Sequence, residues 1–552
     1  MRRKPNLACP HDRSVAFSPT VHGARLTGWQ VARRIGSRGF ASALLTLGVL
    51  LAGCASLPPQ GARPPSAPIG DTGDTRLGRA LAARVASHGE LSGFRVLSVG
   101  TEAFAARMAL AAAAERSLDV QYYIWRDDDA GMLLLEALVR AADRGVRVRL
   151  LLDDAGTVGM DTTLAALAAH PNLEVRLYNP FAARRWRLLN LLGDFARLNR
   201  RMHNKSFTAD NQVTIAGGRN VADEYFLAGD GVAFVDVDVA AIGPVVTDVS
   251  RSFERYWDSA SSYPVTQLIG PPDPGSRAAL DARFEGMRSA PQSVSYLRSV
   301  ADTRLVADLL EGAVSFDWAH ADVVVDDPAK TLEADPADHL VLFPELVRTI
   351  GRPERSLDMV SPYFVPGERG TEALVALARR SVRVRILTNS LAASDVMAVH
   401  AGYAPRRLDL ARAGIALYEA KPDAGARAAR KEEPETSTGS SGAQSLHAKV
   451  YAVDERRIFV GSFNFDQRSA HLNTELGLVI DSPAIAAQLA GAFDEVVPRI
   501  AWRVRIAPDG SLQWVDRTPT GEEVVHAAEP GASAWRLLGV GLLQLLPIEW
   551  LL

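Results

Sequence analysis

HNKSFTADNQVTIAGGRN, residues 203–220, and HAKVYAVDERRIFVGSFN, residues 447–464, are the two stretches on which the reading of this sequence turns. In both, His to Lys is two residues, His to Asp seven and His to Asn seventeen. The positions are His203, Lys205, Asp210 and Asn220 in the first and His447, Lys449, Asp454 and Asn464 in the second. In an extended chain residues i and i+2 project on one face, so strand periodicity would set each His and Lys side by side. A lone His-x-Lys carries almost no information. Two copies in register carry much more if the chain around them is duplicated as well.

Duplication is visible in two further segments. Glu115-Arg-Ser-Leu-Asp119 recurs as Glu354-Arg-Ser-Leu-Asp358 at an offset of 239, and LVRAADRGVRVRL (138–150) recurs as LVALARRSVRVRI (374–386) at an offset of 236. The His-x-Lys pair has an offset of 244, a drift small enough for loop insertions. Each copy shows an apolar strand-like run (118–125; 357–365), a helical stretch rich in Ala, Leu and Arg, and a second strand (146–152; 382–387). Strand–helix–strand order predicts an α/β fold of two homologous halves with largely parallel sheets, in which ligands sit at the carboxyl ends of the strands. The expected organisation is a leader over 1–54, a tether over 55–80, a first half over 81–265 and a connecting region over 266–330. A second half over 331–500 and a C-terminal segment over 501–552 complete it. The polar tract 421–444 reads as a mobile loop, either a lid or an ordinary surface insertion.

The paired segments resemble the double HxKxxxxD motifs of the phospholipase D superfamily over roughly residues 80 to 500. The order of motifs is most similar to bacterial cardiolipin synthases of the C type. Supporting blocks are QYYIW (121–125) followed by Asp127 to Gly131, RMHNK (201–205), GGRN (217–220), DEYF (223–226), GSSG (439–442) and LPIE (546–549). The resemblance implies two phospholipase D-like α/β/α halves in a pseudo-twofold bilobal body with one active site between them. It makes Gly217, Gly218, Gly461, Ser462, Asp210 and Asp454 structural parts of the motifs.

The residue types suit phosphodiester exchange, which needs a nucleophile, an acid for the leaving oxygen and positive charge on the phosphoryl oxygens. A neutral imidazole attacks phosphorus and a protonated one donates to the leaving alcohol, so two histidines fill both roles. Lys205 and Lys449 would neutralise the phosphoryl oxygens, and Asn220 and Asn464 would add hydrogen bonds. No metal or other cofactor is then required, and a His/Lys alternation is a poor metal site because ammonium is not a ligand. Each histidine should have its other nitrogen held by a carboxylate. Glu475 lies where the family places such a residue, and aligning Pro483 with Pro244 sets Asp236 opposite it, in preference to Asp238 and Glu224, which read as surface or loop acids. The resemblance makes one histidine the covalent nucleophile. His203 is expected in that role with His447 as acid/base, the reverse being nearly as defensible. Tyr123, Trp125, Tyr363, Arg200 and Arg201 are the expected substrate contacts.

The 552 residues carry 61 Lys and Arg against 64 Asp and Glu, two cysteines, 47% hydrophobic residues and a mean hydropathy of zero. That composition excludes a disordered chain, a disulfide scaffold and a polytopic membrane protein. Eight of the basic residues and one acid fall within 1–53, which leaves 53 against 63 in the remainder, a balance of −10 that argues against nucleic acid as partner. Phe40–Ala52 is an apolar run too short to span a bilayer and reads as a signal-peptide core. The following Leu51-Ala-Gly-Cys54 resembles the lipobox of bacterial lipoproteins and makes Cys54 the lipidated residue. The long stretch before the basic segment points to a start codon further downstream.

Pro58–Gly73 reads as a flexible tether from a membrane. The apolar stretch Trp535–Leu552 suits either a membrane interface or packing on the core. Arg184–Arg201 carries six arginines among Trp, Leu and Phe and suits either anionic phospholipid headgroups or an ordinary wet helix face. The expected partners are a phospholipid membrane and anionic phospholipid substrates, in a bacterial envelope, at the inner or the outer membrane. The leading expectation is transfer that forms cardiolipin from phosphatidylglycerol and a second phospholipid. Phospholipase D-type hydrolysis is the alternative, and a nuclease comes behind both.

Overall fold

The two repeated segments, Glu-Arg-Ser-Leu-Asp and Val-Arg-Val-Arg, become adjacent parallel strands at the centre of each half. The computed structural model describes residues 57–552 apart from 62, 64, 229–232, 306–307, 309–311, 423–443 and 519–520. The leader, its Cys54 and most of the tract 421–444 therefore lie outside the described residues. Strands of the first half are β1 (Ser92–Leu97), β2 (Ser117–Ile124), β3 (Arg147–Gly156), β4 (Leu173–Tyr178), β5 (Ser206–Ala209), β6 (Val213–Gly217), β7 (Ala233–Val235), β8 (Asp238–Ile242), β9 (Ser262–Pro264) and β10 (Asp317–Ala319). Those of the second are β11 (Ala321–Val325), β12 (Ser356–Val360), β13 (Arg383–Asn389), β14 (Ala416–Ala420), β15 (Gln444–Leu446), β16 (Val450–Val453), β17 (Arg457–Gly461), β18 (Leu476–Asp481), β19 (Ala501–Ile506), β20 (Leu512–Arg517) and β21 (Glu523–His526). The helices that matter below are α1 (Asp129–Asp143), α2 (Arg187–Leu198), α3 (Pro244–Trp257), α4 (Gly367–Arg379), α5 (Met397–Tyr403), α6 (Gln467–His471), α7 (Pro483–Glu495) and α8 (Ala534–Leu543).

A nine-stranded sheet has the order β10-β1-β8-β6-β5-β2-β3-β4-β9, and a ten-stranded sheet the order β11-β18-β17-β16-β12-β13-β14-β19-β20-β21. Only β2-β3-β4 and β12-β13-β14 run parallel; every other pairing within these sheets is antiparallel, which corrects the expectation of largely parallel sheets. Connection length is the cause. A parallel crossover needs a helix, supplied by α1 and α4, whereas β5–β6 and β16–β17 are tight hairpins. Asp210 and Asn211 (φ 49° and 51°) close one turn and Asp454 and Glu455 (φ 56° and 55°) the other. Both central residues are left-handed, as the hairpin twist demands.

The motif aspartates hold these turns against the repeat. Asp210 accepts from the backbone N–H groups of Glu115, Arg116 and Ser117 at 2.7–3.2 Å, and Asp454 from those of Glu354, Arg355 and Ser356 over the same range. One strand further on, Asp119 pairs with Arg149 at 2.7 Å and Asp358 with Arg385 at 2.6 Å. Each guanidinium also lies over a phenylalanine of the helix packed beneath, Phe253 of α3 at 4.8 Å and Phe493 of α7 at 4.9 Å. The repeated residues are thus the ones that fasten a turn, two strands and a helix together twice. Between the sheets the halves share one core, in which Phe94, Val239, Val245 and Val249 pack with Val450, Val460, Leu478 and Ile485.

Two chain ends depart from expectation. The described residues between 57 and 73 form a belt bound to the first half, not a free tether. Gln60 donates to Ala260 O at 2.7 Å, Arg63 to Ser262 O at 2.8 Å, Ser66 N–H to Asp258 Oδ2 at 2.8 Å and Asn211 to Ile69 O at 2.9 Å. A proline-rich strand cannot pair with itself, so its polar groups are satisfied by the folded surface it crosses. At the other end, β19–β21 extend the second sheet, and α8 packs Val540 against Leu391 and Ala401. Among the described residues no helix is long and apolar enough to cross a membrane.

Candidate active site

The two His-x-Lys segments meet across the boundary between the halves. Neither pair lies in a ladder strand; each sits in extended chain at the mouth of one, before β5 and between β15 and β16. The reason is that their backbone groups bond to the opposite half. His203 N–H donates to Thr474 O at 2.8 Å, and Thr474 N–H returns a bond to Arg201 O at 2.8 Å. His447 N–H donates to Val235 O at 2.8 Å, continuing the parallel pairing of β15 with β7. The next residues along these partner segments are Glu475 and Asp236.

The carboxylates are therefore crossed. His203 Nδ1 lies 2.8 Å from Glu475 Oε2, and His447 Nδ1 lies 2.6 Å from Asp236 Oδ2. Each histidine is completed by an acid from the other half, with Nδ1–H donating and Nε2 left as the reactive atom. Lys205 and Lys449 donate to the carbonyls of His203 and His447 two residues before them. All six side chains are buried, and the histidines, at 7% exposure, are the most open of them. Tyr123 packs edge-on to His203 and Tyr225 edge-on to His447, both at 5.0 Å.

Burial dominates the electrostatics. Desolvation and then the two ammonium groups pull His203 well below its ordinary pKa, and His447 is lowered by burial and Lys449 against the opposing pull of Asp236. Lys205 is lowered well below the usual lysine range by burial, and Lys449 is pushed down to about 8 by the same cause. The acids move in opposite directions. Burial raises Glu475 to about 7, whereas burial of Asp236 is outweighed by His447, Lys449 and Arg219, which hold it below the usual carboxylate range. Entry of a phosphodiester anion would add negative charge beside both imidazoles and raise their pKa values toward neutrality.

The remaining expected residues divide. Asn220 accepts from Ile124 N–H at 3.1 Å and donates to Tyr225 Oη at 2.9 Å, so its amide is largely engaged with protein, while Asn464 Oδ1 is buried without a protein partner. Gly217 and Gly218 are required sterically. A Cβ would stand 2.3 Å from Asp238 Oδ1 at the first and 2.3 Å from Asp236 Oδ1 at the second, and at Gly461 it would stand 2.6 Å from Leu476 O. Ser462 Oγ donates to Glu475 Oε2 at 2.5 Å.

Among the expected substrate contacts, Tyr123 lines the site and Tyr363, partly exposed, donates to Asp395 Oδ2 at 2.8 Å. Trp125 is fully buried with its indole N–H on Gly131 O at 3.1 Å. Arg201 is buried in a two-pronged pair with Asp153 at 2.5 and 2.8 Å, and Arg200 donates to Ala196 O and Ala334 O. Trp125 and Arg201 are committed to the fold, because a buried guanidinium or indole N–H takes the nearest acceptor, whereas Arg200 is half-buried and its hydrogen bonds are to exposed backbone carbonyls.

Other residues escape sequence reasoning. Asp238, expected at the surface, is buried and receives Arg107 at 2.8 Å; Arg219 beside it donates to the Asp236 carbonyl. Behind Glu475, Asp326 accepts the Glu475 N–H at 2.7 Å and pairs with the buried Lys330 at 2.9 Å. The alternation Val235-Asp-Val-Asp-Val239 hinted that two acids share one face and that the second needs a cation. Nothing local marks Asp326 or Lys330.

The family described as "Cardiolipin synthase, PLD-like domain" matches residues 108–257 and 346–497, one match per half. The chain is 44% identical over 482 residues to cardiolipin synthase C of Escherichia coli (strain K12), covering 86% of this chain and 100% of that protein. It is 25% identical over 419 residues to cardiolipin synthase A of Edwardsiella ictaluri (strain 93-146), covering 75% and 69% respectively. The crystal structure of a phosphatidylserine synthase from Haemophilus influenzae Rd KW20 superposes with a TM-score of 0.52 at 12% identity, covering 86% of this chain and 100% of that one, a likeness of fold. With one match in each half and a full-length relative at this identity, the chain belongs to the phospholipase D-like cardiolipin synthase family.

Proposed function

We propose that the protein is a phosphatidyltransferase that forms cardiolipin from phosphatidylglycerol and a second phospholipid through a phosphatidyl-histidine intermediate. The observation that carries this reading is the pair of crossed His–carboxylate couples, each with its own lysine, from two halves of one chain. His203 Nε2 attacks the phosphorus of the donor lipid, the bond to the headgroup oxygen breaks, and His447 gives its Nε2 proton to the departing alcohol. A glycerol hydroxyl of phosphatidylglycerol then attacks the phosphorus, a P–O bond forms as the P–N bond to His203 breaks, the hydroxyl proton passes to His447 and His203 is released. Lys205 and Lys449 balance the charge on the phosphoryl oxygens throughout.

The two acids support this assignment of roles. Asp236, held ionised, steadies the imidazolium of an acid at His447. Glu475, raised to about 7, is able to take up the Nδ1 proton that His203 sheds on becoming phosphorylated. The substrates' chemistry places the reaction at a bacterial membrane, and the reading extends to a lipoprotein anchored through Cys54. Lipid mass spectrometry tests the activity. The purified protein, given phosphatidylglycerol with and without phosphatidylethanolamine, is expected to yield cardiolipin. Phosphatidic acid as the sole product would replace transfer by hydrolysis.

A further inference from the structure

The segment 184–198, a short 3-10 turn (Arg184–Trp186) running into α2, ends five residues before His203, kinks at Asp194 and presents a row of apolar side chains outward. Trp186, Leu189, Leu192 and Phe195, spaced three apart, are exposed at 62%, 37%, 66% and 45%. Three of the segment's four arginines turn to the protein, and Arg185 stays exposed. Arg184 pairs with Asp154 and Asp161, Arg187 donates to Asp154 O at 2.7 Å, and Arg197 donates to Pro180 O at 3.0 Å. Asp154, which collects two of them, is fully buried. A helix facing water does the opposite, and an exposed apolar stripe of this kind marks a surface that meets another apolar one.

The same arrangement recurs at the C-terminus. Trp535, Leu538, Leu542 and Leu545 are exposed along the outer side of α8 and its continuation, while Val540 packs inward. Both segments are fastened to one residue of α6. Arg468 donates to Asn199 O, just past α2, at 2.9 Å, and its backbone N–H donates to Leu552 O at 2.7 Å. Arg468 follows Asn464 of the site by four residues.

We infer that α2 and the C-terminal segment form one interfacial surface that inserts into a phospholipid monolayer beside the site. The inference rests on the proposed use of lipid substrates and names the part of the chain that meets them. The apolar stripes enter the boundary between headgroups and acyl chains, and Arg185, exposed and with no ion pair among the described residues, lies at the rim, where anionic headgroups are. The lipid thereby reaches the histidines by moving along the surface of its own leaflet.

An environment-sensitive dye tests this on the full chain, in a background in which Cys9 and Cys54 are serine. The dye is attached at Leu192→Cys, at Leu538→Cys and, as a control, at Ser511→Cys in the exposed β19–β20 turn. Adding vesicles of phosphatidylglycerol and phosphatidylethanolamine is expected to shift the emission to the blue at 192 and 538 and not at 511. No shift at 192 and 538 overturns the inference. So does emission that is already blue without lipid and unchanged by it, the mark of a second copy covering the face.

The double variant Leu192→Asp/Phe195→Asp is expected to lose about tenfold of its turnover on vesicles while keeping that on dispersed short-chain phosphatidylglycerol. Equal turnover of vesicles by variant and parent also overturns the inference. Absence of turnover on either lipid, with the dye shifts intact, would instead remove the proposed activity and leave the surface standing.

Discussion

The two acid pockets of the site are built from the same repeat and behave differently. In the first half Gly218 leaves the space that Asp236 occupies. The short acid accepts from Val237 N–H at 2.8 Å and is surrounded by His447, Lys449 and Arg219, which keep it ionised. In the second half Ser462 takes the glycine's place and donates to the longer Glu475, whose other oxygen, Oε1, is buried without a partner. Burial then outweighs Lys205, Ser462 and Lys330, and the carboxyl rises to about 7. Duplication supplied two equivalent histidines; one fixed charge and one titratable proton make them unequal. A ping-pong reaction needs that inequality, because one ring must stay an acid while the other becomes a leaving group.

The comparison breaks most severely at the rings. His203→Ala and His447→Ala are each expected to lower cardiolipin formation by roughly 10³-fold or more. In the parent enzyme quenched during turnover, peptide mass spectrometry is expected to find the phosphatidyl adduct on His203. An adduct on His447 would reverse the roles of the two halves.

Smaller and unequal losses are expected at the acids. Asp236→Asn should cost about 100-fold in kcat and Glu475→Gln about tenfold, since the second acid already carries a proton for part of the time. Glu475, raised to about 7, becomes protonated as the pH falls, so kcat/KM should decline on the acid side through about 7. Lys449, lowered to about 8, loses its charge as the pH rises, so kcat/KM should decline again above about 8. In Glu475→Gln the acid limb should move to lower pH. An unmoved limb would assign it to another group.

Two substitutions at equivalent positions sharpen the contrast further. Gly218→Ala sets a methyl group where the Asp236 oxygen stands, 2.3 Å from it, and should lower activity about tenfold by displacing the acid. Ser462→Ala removes a hydrogen bond to a carboxylate, worth about 1.5–3 kcal/mol, and should raise the acid limb of the pH profile while the protein stays folded. The smallest contrast concerns stability. Asp210 is fully buried and Asp454 only partly so, yet each holds three backbone N–H groups. Urea unfolding is expected to show a loss of about 3 kcal/mol for Asp210→Ala and about 1.5 kcal/mol for Asp454→Ala; equal losses would mean that burial adds nothing to these bonds.

Much of this was legible in the chain because duplication prints each essential position twice. The Glu-Arg-Ser-Leu-Asp and Val-Arg-Val-Arg segments announced the central strands, and aligning Pro244 with Pro483 selected Asp236 and Glu475 from among several acids. Local patterns say little about which acid meets which ring, since a repeat aligned with itself suggests pairing within a half. The belt at 57–73 read as a tether for a similar reason. Its composition lacks a core-forming pattern, and its hydrogen bonds are to a surface that exists only after folding. Trp125 and Arg201 read as substrate contacts because each lies two residues from a site residue, Tyr123 and His203, where strand alternation would set it on the same side. The pairing register, however, breaks between Tyr122 and Ile124 ahead of Trp125, and the buried Asp153 draws Arg201 inward. Both side chains point into the protein.

By itself the sequence determined that there are two α/β halves, two His-Lys pairs and a carboxylate candidate for each, because residue spacing survives without any knowledge of long-range contacts. Only the tertiary structure decided that the halves exchange their acids, with Glu475 on His203 and Asp236 on His447. It also decided that Arg184 and Arg187 turn inward to Asp154 while Leu189 and Leu192 stay exposed. Both depend on which surfaces lie against which, and the free energy of burying a charge or exposing an apolar side chain is set by the neighbour across the gap and not by the neighbour along the chain.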